Sequence, residues 1–92
     1  VWWFLERNEK MMKVTFTEEF KSIFQKIKDN SLKEKVLKQI EKIKTNPEVG
    51  KPMRYMRKGT RELYIKPFRL SYAYIKAEEV VYILDLYHKK KQ

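Results

Sequence analysis

The sequence predicts an α+β fold: a short N-terminal strand, an antiparallel two-helix hairpin, and then a three- to four-stranded antiparallel sheet with the helices packed on one face. Apolar residues recur at helical spacing from residue 20 to residue 43, and from residue 53 onward they alternate with polar residues, as they do in strands. The connections between these strands are too short for a crossover, so consecutive strands should be antiparallel neighbours. Two helices followed by a strand meander should both cover the same sheet face.

The first strand and the first helix are predicted in residues 13–29. Val14 and Phe16 alternate with polar neighbours, and Thr17 is a favourable N-cap residue. Glu18 and Glu19 follow in the first turn, where the helix dipole favours carboxylates. The apolar face of this helix, which should run to about Asp29, consists of Phe20, Ile23, Phe24 and Ile27.

The second helix is predicted to follow Ser31, because Ser31 and Glu34 have the spacing of a capping box. Its apolar stripe consists of Leu32, Val36, Ile40 and Ile43, and lysines cover the other side. Asn46-Pro47 should end the helix, since the residue before a proline is disfavoured in the helical region. With only Asn30 between them, the two helices should form an antiparallel hairpin.

Strands are predicted at residues 53–57, 63–66, 68–76 and 80–89. The segments that separate them are typical of turns: Lys58-Gly59-Thr60, Pro67 and Ala77-Glu78. Together with the helices they make one domain over residues 12–92. Residues 1–11 fit neither the helical nor the strand period and are interpreted as an N-terminal extension outside the fold.

Composition excludes several functional classes. The chain has no cysteine, so it has no disulfide framework, thiolate nucleophile or zinc ribbon, and a single His88 cannot build an all-histidine metal site. No metal or other cofactor is predicted. The longest apolar runs are far below the roughly 20 residues that span a bilayer, and no basic leader is evident, so we expect a cytoplasmic protein.

The charge is strongly positive and uneven. The chain has 22 basic and 12 acidic side chains, a formal net charge of +10. Residues 51–92 contain 11 of the basic side chains but only four of the acidic ones. A polyanion that binds the second half would explain this asymmetry, and nucleic acid and an acidic protein are the candidate partners. Simple solvation of a lysine-rich surface is the alternative.

Strand alternation predicts which side chains share the sheet face that the helices leave open. The residues expected to face the helices are Leu63, Ile65, Leu70, Tyr72, Tyr82, Leu84 and Leu86. The open face should then hold Glu62, Tyr64, Lys66, Arg69, Ser71, Ala73, Ile83, Asp85, Tyr87 and Lys89, with Arg54, Arg57 and Arg61 nearby. Cations for phosphates and tyrosines for base stacking are what RNA contact requires, although an ordinary solvated sheet face presents the same residue types.

Three motifs of the second half occur in a consistent order. They are Arg61-Glu62-Leu63-Tyr64-Ile65-Lys66, Phe68-Arg69-Leu70-Ser71-Tyr72 and Ile83-Leu84-Asp85-Leu86-Tyr87-His88-Lys89-Lys90. With the order of elements, they resemble the RelE/ParE toxin superfamily of toxin–antitoxin modules, and the Glu-Leu pair and the closing aromatic-x-Lys-Lys resemble its HigB-like branch. The resemblance covers residues 12–92. It implies a toxin that is neutralised by a cognate, RelB-like antitoxin in a heteromeric complex.

Members that resemble RelE are ribosome-dependent endoribonucleases, which inhibit translation by cutting mRNA in the decoding site through metal-independent attack of the ribose 2′-hydroxyl. By this resemblance Arg69 contacts the scissile phosphate, Lys66 and Lys89 add positive charge, and Tyr87 is a stacking platform and a proton donor. The residues assigned to RNA binding are Arg54, Arg57, Arg61, Tyr64, Lys90 and Lys91. RelE also has a terminal functional tyrosine that this sequence lacks, and Tyr87 is its candidate substitute.

Two titratable residues of the last strand have structural interpretations. Both neighbours of His88 should face the open side, so His88 should face away from it unless the chain has already left the sheet. Asp85 lies beside Arg69 across a strand pair and is either an acid–base candidate or the ion-pair partner of that arginine.

Two further functions remain open beside the ribonuclease. A ParE-like inhibitor of DNA gyrase shares the fold without needing nuclease residues. A non-enzymatic RNA-binding or partner-binding module would keep the fold after losing catalysis, and the missing terminal tyrosine favours this reading.

Overall fold

The computed structural model describes residues 13–53 and 59–88. In these residues the order of elements is β1 (Lys13–Phe16), α1 (Glu18–Gln25), α2 (Asn30–Thr45), β2 (Lys51–Pro52), β3 (Thr60–Ile65), β4 (Phe68–Ile75) and β5 (Val80–His88). A short 3₁₀ turn, Lys76–Glu78, connects β4 to β5. The predicted α+β class is confirmed. The predicted strand at residues 53–57 falls largely outside the described residues, and the strand β2 lies just before it, in residues for which no strand was predicted.

The sheet is mixed, with the spatial order β1-β5-β4-β3-β2. The pairs β2–β3, β3–β4 and β4–β5 are antiparallel, as their short connections predict. Strand β1 instead runs parallel to β5, with Val14 opposite Val81 and Phe16 opposite Ile83. The antiparallel pairing predicted for the strands after the helices is confirmed, and β1, for which the sequence predicted no partner, adds a parallel edge to the sheet. Two helices separate β1 from the next strand, and a connection of that length does not fix which neighbour β1 takes.

Both helices begin at a side-chain cap. Thr17 caps α1 as predicted, since its hydroxyl oxygen accepts a hydrogen bond from the Phe20 amide at 3.2 Å. The cap of α2 is Asp29, whose carboxylate accepts from the Ser31 and Leu32 amides at 2.9 and 3.4 Å. The predicted capping box at Ser31 is wrong, because Asp29 supplies its acceptor two residues earlier.

The helix ends match the prediction unevenly. Helix α1 ends at Gln25, about four residues earlier than the periodicity predicts. Helix α2 ends at Thr45 with Asn46 as its C-cap, as the Asn46-Pro47 pair predicts. Within the described residues, no helix has the length and apolarity that crossing a bilayer requires.

A single hydrophobic core lies between the helices and one face of the sheet. Its fully buried members include Phe20, Val36, Ile40 and Ile43 from the helices and Val14, Leu70, Tyr72, Val81 and Ile83 from the sheet. The predicted stripes of both helices therefore face the core, with Ile23, Ile27 and Leu32 at its margin. The opposite sheet face is left without a helix among the described residues.

A β-bulge interrupts the alternation of β5. Ser71 pairs with Asp85 and Tyr72 pairs with Ile83, so Leu84 has no partner on β4. Ile83 and Leu86 are both buried in the core, although they are three residues apart. Strict alternation had predicted Tyr82 toward the helices and Ile83 away from them, and both predictions are wrong. Beyond the bulge, Asp85 and Tyr87 lie on the open face as predicted.

The loop between α2 and β2 is fixed by two side chains of the sheet. The Tyr72 hydroxyl donates to the Pro47 carbonyl and accepts from the Gly50 amide, each at 2.8 Å. Arg61 donates through Nη1 to the carbonyls of Glu48 and Gly50, at 3.1 and 2.8 Å. A Cβ at Gly50 would lie 2.6 Å from the Tyr72 hydroxyl oxygen, so glycine is required for this close approach. Burial raises the pKa of the Tyr72 hydroxyl, and the bond from the Gly50 amide opposes this only in part.

Candidate functional site

The candidate site is centred on Arg69, on the open face of the sheet. Arg69 lies directly opposite Tyr64 on β3 and directly opposite Tyr87 on β5. Residues opposite each other in adjacent strands project from the same face, so the three side chains form a row across the central strands. The row lies near the end of the sheet at which the short turn connects β3 to β4.

A buried carboxylate connects this row. Glu62 precedes Tyr64 by two residues on β3 and therefore projects from the same face. Its Oε1 accepts a hydrogen bond from Arg69 Nη1 at 3.2 Å, and its Oε2 accepts one from the Tyr87 hydroxyl. The guanidinium carbon of Arg69 lies 5.9 Å from the centre of the Tyr64 ring, within the range of a cation–π interaction. We call Glu62, Tyr64, Arg69 and Tyr87 the Arg69 cluster.

The two charged members of the Arg69 cluster differ in exposure. The Arg69 side chain is 30% exposed, whereas that of Glu62 is only 3% exposed. The carboxylate is thus enclosed, and the arginine it holds still reaches the surface. Arg69 Nε is buried without a hydrogen-bond partner among the described residues. The pair can therefore present a permanently protonated guanidinium at the surface in a fixed orientation.

A groove of about 390 Å³ adjoins the Arg69 cluster at the β2–β3 edge of the sheet. Three cluster members, Glu62, Tyr64 and Arg69, form part of its wall. The remaining lining residues are Val49, Lys51, Met53 and Leu63. Tyr64 is 53% exposed, and among the described residues Ile75 is the other exposed large hydrophobic side chain. An unstacked base could stack on the Tyr64 ring.

Two other predicted site residues have different positions. Lys66 is exposed in the two-residue turn between β3 and β4, at the edge of the site. Arg61 was assigned to RNA binding, but it lies opposite Tyr72, so it projects from the helix-covered face. Its guanidinium bonds the carbonyls of the loop before β2, and its assignment to RNA binding stays a prediction. The remaining assigned residues lie outside the described residues: Arg54, Arg57, Lys89, Lys90 and Lys91.

Neither Asp85 nor His88 of β5 forms an ion pair with Arg69 in the described part of the chain. His88 lies opposite Phe68, and the two rings meet edge to face with their centres 5.4 Å apart. It lies on the side away from Arg69, as alternation predicts. Asp85 is on the open face, but its carboxylate accepts a hydrogen bond from the Leu86 amide at 2.8 Å. The ion-pair partner of Arg69 is Glu62, so the interpretation of Asp85 as that partner is wrong.

Sequence reasoning missed the role of Glu62. Alternation placed Glu62 on the open face, and a carboxylate on such a face is ordinarily interpreted as exposed to solvent without a specific partner. Two signals were available. Glu62 is two residues before Tyr64, so both side chains project from the sheet face that also carries Arg69. Residues 51–92 contain only four acidic residues, so each acid there stands out. An acidic side chain in such a basic surface is a candidate ion-pair partner.

Comparison with known proteins identifies the family. Residues 14–92 match the family model described as the ParE toxin of the type II toxin–antitoxin system. This chain belongs to that toxin family. The predicted resemblance to the RelE/ParE toxins is thereby confirmed. No curated protein matches the sequence of this toxin significantly.

Solved structures of such toxins share the fold. The toxin is similar to a chain of the RelBE2 toxin–antitoxin complex of Mycobacterium tuberculosis, with 24% identity and a TM-score of 0.76, over 87% of this chain and 100% of the other. The isolated RelE toxin of E. coli has 18% sequence identity and a TM-score of 0.72, and the match covers 84% of this chain and 83% of the other. The YoeB/ParE toxin of Agrobacterium tumefaciens has 17% sequence identity and a TM-score of 0.74, and the match covers 84% of this chain and 98% of the other. At these identities the likeness establishes the fold of the toxin.

Proposed function

We propose that this toxin is a ribosome-dependent endoribonuclease that cleaves mRNA in the decoding site and so inhibits translation. The observation that carries the proposal is the position of Arg69, partly exposed on the open face between two tyrosines and held there by Glu62. A fixed cation beside an exposed aromatic ring suits a phosphate flanked by unstacked bases. The net charge of +10 supports a polyanionic partner such as ribosomal and messenger RNA.

The proposed chemistry requires no metal. The ribose 2′-oxygen attacks the adjacent phosphorus and loses its proton, the bond from phosphorus to the 5′-oxygen breaks, and that oxygen takes up a proton as it leaves. Negative charge increases on the phosphate oxygens in the transition state, and the Arg69 guanidinium can stabilise it through two parallel hydrogen bonds. Lys66 adds a second positive charge at the edge of the site, and Tyr64 can stack on a neighbouring base. Tyr87 and Lys89 complete the set of residues that we propose for catalysis.

The test is cleavage of message on programmed ribosomes, with primer extension to map new 5′ ends. The wild-type chain should cut within the decoding-site codon. Arg69→Lys should be at least tenfold slower, because lysine retains the charge but loses the planar fork. Lys76→Ala is the matched control, since Lys76 is an exposed cation in the turn at the other end of β4. It should cut as fast as the wild type.

Two outcomes would contradict this assignment. A folded wild-type chain that leaves the message intact would exclude the nuclease. Cuts that persist at the full rate in Arg69→Lys would retain the nuclease but remove Arg69 from its centre. Arg69→Ala is a less clean variant, because it leaves the buried Glu62 carboxylate without its cation.

Inhibition of DNA gyrase is a second candidate, favoured by the description of the matched family as ParE toxins. This activity would need the fold and a binding surface but not the transition-state contacts of Arg69. Gyrase supercoiling assays with the purified chain separate the two candidates. Inhibition of supercoiling together with intact message would support gyrase as the target. A chain that does neither would be a binding module that has lost catalysis.

We also propose an acidic, RelB-like antitoxin as the protein partner. The similar Mycobacterium tuberculosis structure is a toxin–antitoxin complex, and the net charge of this chain favours an acidic partner. Titration with the cognate antitoxin at rising salt tests this proposal. Affinity that falls with salt indicates association driven by charge, and affinity that does not change indicates apolar docking. Absence of binding at every salt concentration would count against the partner.

A further inference from the structure

We propose that Glu62 is a positioning residue of the ribonuclease site: it fixes the Arg69 guanidinium and the Tyr87 hydroxyl in one arrangement, so that Tyr87 faces the substrate as a hydrogen-bond acceptor. This inference rests on the proposed ribonuclease function. The proposed cleavage chemistry has no step for the buried Glu62, and the inference gives it the role of holding two other side chains. It also changes the expected role of Tyr87 from proton donor to hydrogen-bond acceptor.

The first argument is the burial of Glu62. Its side chain is 3% exposed, although it projects from the sheet face that neither α1 nor α2 covers. A buried carboxylate is costly unless each of its oxygens is paired. Here one oxygen accepts from Arg69 and the other from Tyr87, and these two residues lie opposite each other on β4 and β5. Glu62 thus links side chains of three adjacent strands.

The second argument concerns the hydroxyl proton of Tyr87. A phenol has one proton to donate, and that proton is directed at Glu62 Oε2. In this arrangement the phenol can offer only oxygen lone pairs to a substrate. Tyr87 can then accept a hydrogen bond from the attacking 2′-hydroxyl and orient it. It does not supply the proton that the 5′-oxygen takes up, which departs from the donor role that the sequence indicated.

The third argument concerns the orientation of Arg69. One Nη donates to Glu62, and the guanidinium lies against the Tyr64 ring. An arginine side chain that is free in solvent loses rotamer entropy when it binds a phosphate. An arginine already fixed by a hydrogen bond to a carboxylate loses less rotamer entropy on binding. Since Arg69 is 30% exposed while Glu62 and Arg69 Nε are enclosed, a phosphate at the surface would bind the Nη donors that Glu62 does not use. The carboxylate thereby aims the cation.

The test compares Glu62→Gln and Glu62→Ala with the wild type in the ribosome cleavage assay. Glu62→Ala releases both partners, and we expect kcat to fall about 100-fold, the effect of misplacing a reacting group by about 1 Å. Glutamine can still accept from one partner, so Glu62→Gln should lose about tenfold. KM should not rise in either variant, because the positive charge of the site increases when the carboxylate is removed. Glu78→Gln removes an exposed acid near the other end of the sheet and should match the wild type.

A second readout does not depend on cleavage. The NMR order parameter of the Arg69 Nε–H bond, assigned by its absence in Arg69→Lys, reports how rigidly the side chain is held. It should be high in the wild type, lower in Glu62→Gln and lowest in Glu62→Ala. Thermal melts of each variant confirm that the measured protein is folded. A purely structural role of Glu62 would lower the melting temperature while kcat of the folded fraction and the order parameter stayed unchanged.

The possible failures are distinguishable. If the wild-type chain cuts no message, the proposed ribonuclease function and the catalytic part of this inference are overturned, and the order parameter alone decides whether Glu62 holds Arg69. If the wild type cuts and Glu62→Ala cuts at the same kcat, the positioning role is overturned and the ribonuclease stands. An unchanged order parameter in a folded Glu62→Ala variant would overturn the claim that Glu62 fixes Arg69.

Discussion

At the scale of single residues, Arg69 and Glu62 depend on each other unequally. Arg69 is 30% exposed and can be hydrated if its partner is removed, whereas Glu62 is enclosed and cannot. Removing the arginine therefore leaves an uncompensated buried charge, and removing the carboxylate does not. The residue proposed for catalysis is thus also part of what stabilises the sheet.

The first prediction follows from this asymmetry. Arg69→Ala should lower the free energy of unfolding by about 2–3 kcal/mol, at or just below the lower end of the range for a broken buried pair, because Arg69 is partly hydrated. The double variant Arg69→Ala/Glu62→Gln should recover at least about 1 kcal/mol, since a neutral amide costs less to bury. Urea unfolding at pH 7 measures both values. Equal loss in the single and double variants would contradict the coupling.

Tyr72 gives a second prediction at this scale. Tyr72→Phe leaves the Gly50 amide and the Pro47 carbonyl without their partner and should cost about 1–3 kcal/mol at neutral pH. Burial raises the pKa of the Tyr72 hydroxyl above its ordinary value of 10.0, so folding favours the neutral phenol. The contribution of the hydroxyl is complete below pH 10 and is lost as the pH rises above it, because the unfolded chain ionises first.

The measurement for Tyr72 is urea unfolding of the wild type and Tyr72→Phe at pH 8 and at pH 10.5. The difference between the two proteins should be smaller at the higher pH. All other titrating groups are common to both chains and cancel in this difference. A difference that grows with pH would show that the fold favours the ionised phenol instead.

At the scale of elements, the bulge at Leu84 decides which face the end of β5 presents. Without it, alternation from Ile83 would turn Tyr87 toward the core and away from Arg69. Thr17, at the start of α1, lies against this irregularity. Its single hydroxyl proton is shared between the carbonyls of Ile83 and Leu84, which lie 3.1 and 2.9 Å from the hydroxyl oxygen. One residue thus caps the first helix and holds the bulge that orients the site.

The third prediction tests this double role. Thr17→Val has nearly the same shape but lacks the hydroxyl, and it should lower the free energy of unfolding by about 1–2 kcal/mol. Thr17→Ser keeps the hydroxyl and should lose less than half of that. Chemical denaturation of the three proteins provides the comparison. If the valine variant were as stable as the wild type, the hydrogen bonds at the bulge would contribute nothing net.

At the scale of the whole molecule, the net charge of +10 acts together with the shape of the fold. The helices cover one sheet face, and the other exposes an arginine held by an acid. Long-range attraction brings any polyanion to this surface, and it is the geometry of the Arg69 cluster that could distinguish one phosphate position from another.

The fourth prediction separates these two contributions. Binding of a short single-stranded RNA should weaken about 10- to 20-fold between 50 and 200 mM salt if about three phosphates are contacted. Fluorescence anisotropy at four salt concentrations gives the slope. Lys66→Gln should reduce the slope of log affinity against log salt concentration by the amount that one phosphate contact contributes. Ser22→Ala, on the helix-covered side, should leave this slope unchanged. A slope near zero would mean that binding is not driven by charge.

The features that depend on near neighbours along the chain could be predicted from the sequence. Helical and strand periods predicted the α+β class, the two apolar stripes, the Thr17 cap and the end of α2, because these follow from local spacing and local hydrogen bonds. The same spacing put Tyr64 and Arg69 on one face. Tertiary contacts set three further features: the parallel pairing of β1, the bulge at Leu84 and the hydrogen bonds from Arg61 to a loop. They also set the pairing of Arg69 with Glu62 and not with Asp85. Each of these depends on which distant residues meet, and side-chain periodicity along one strand does not contain that information.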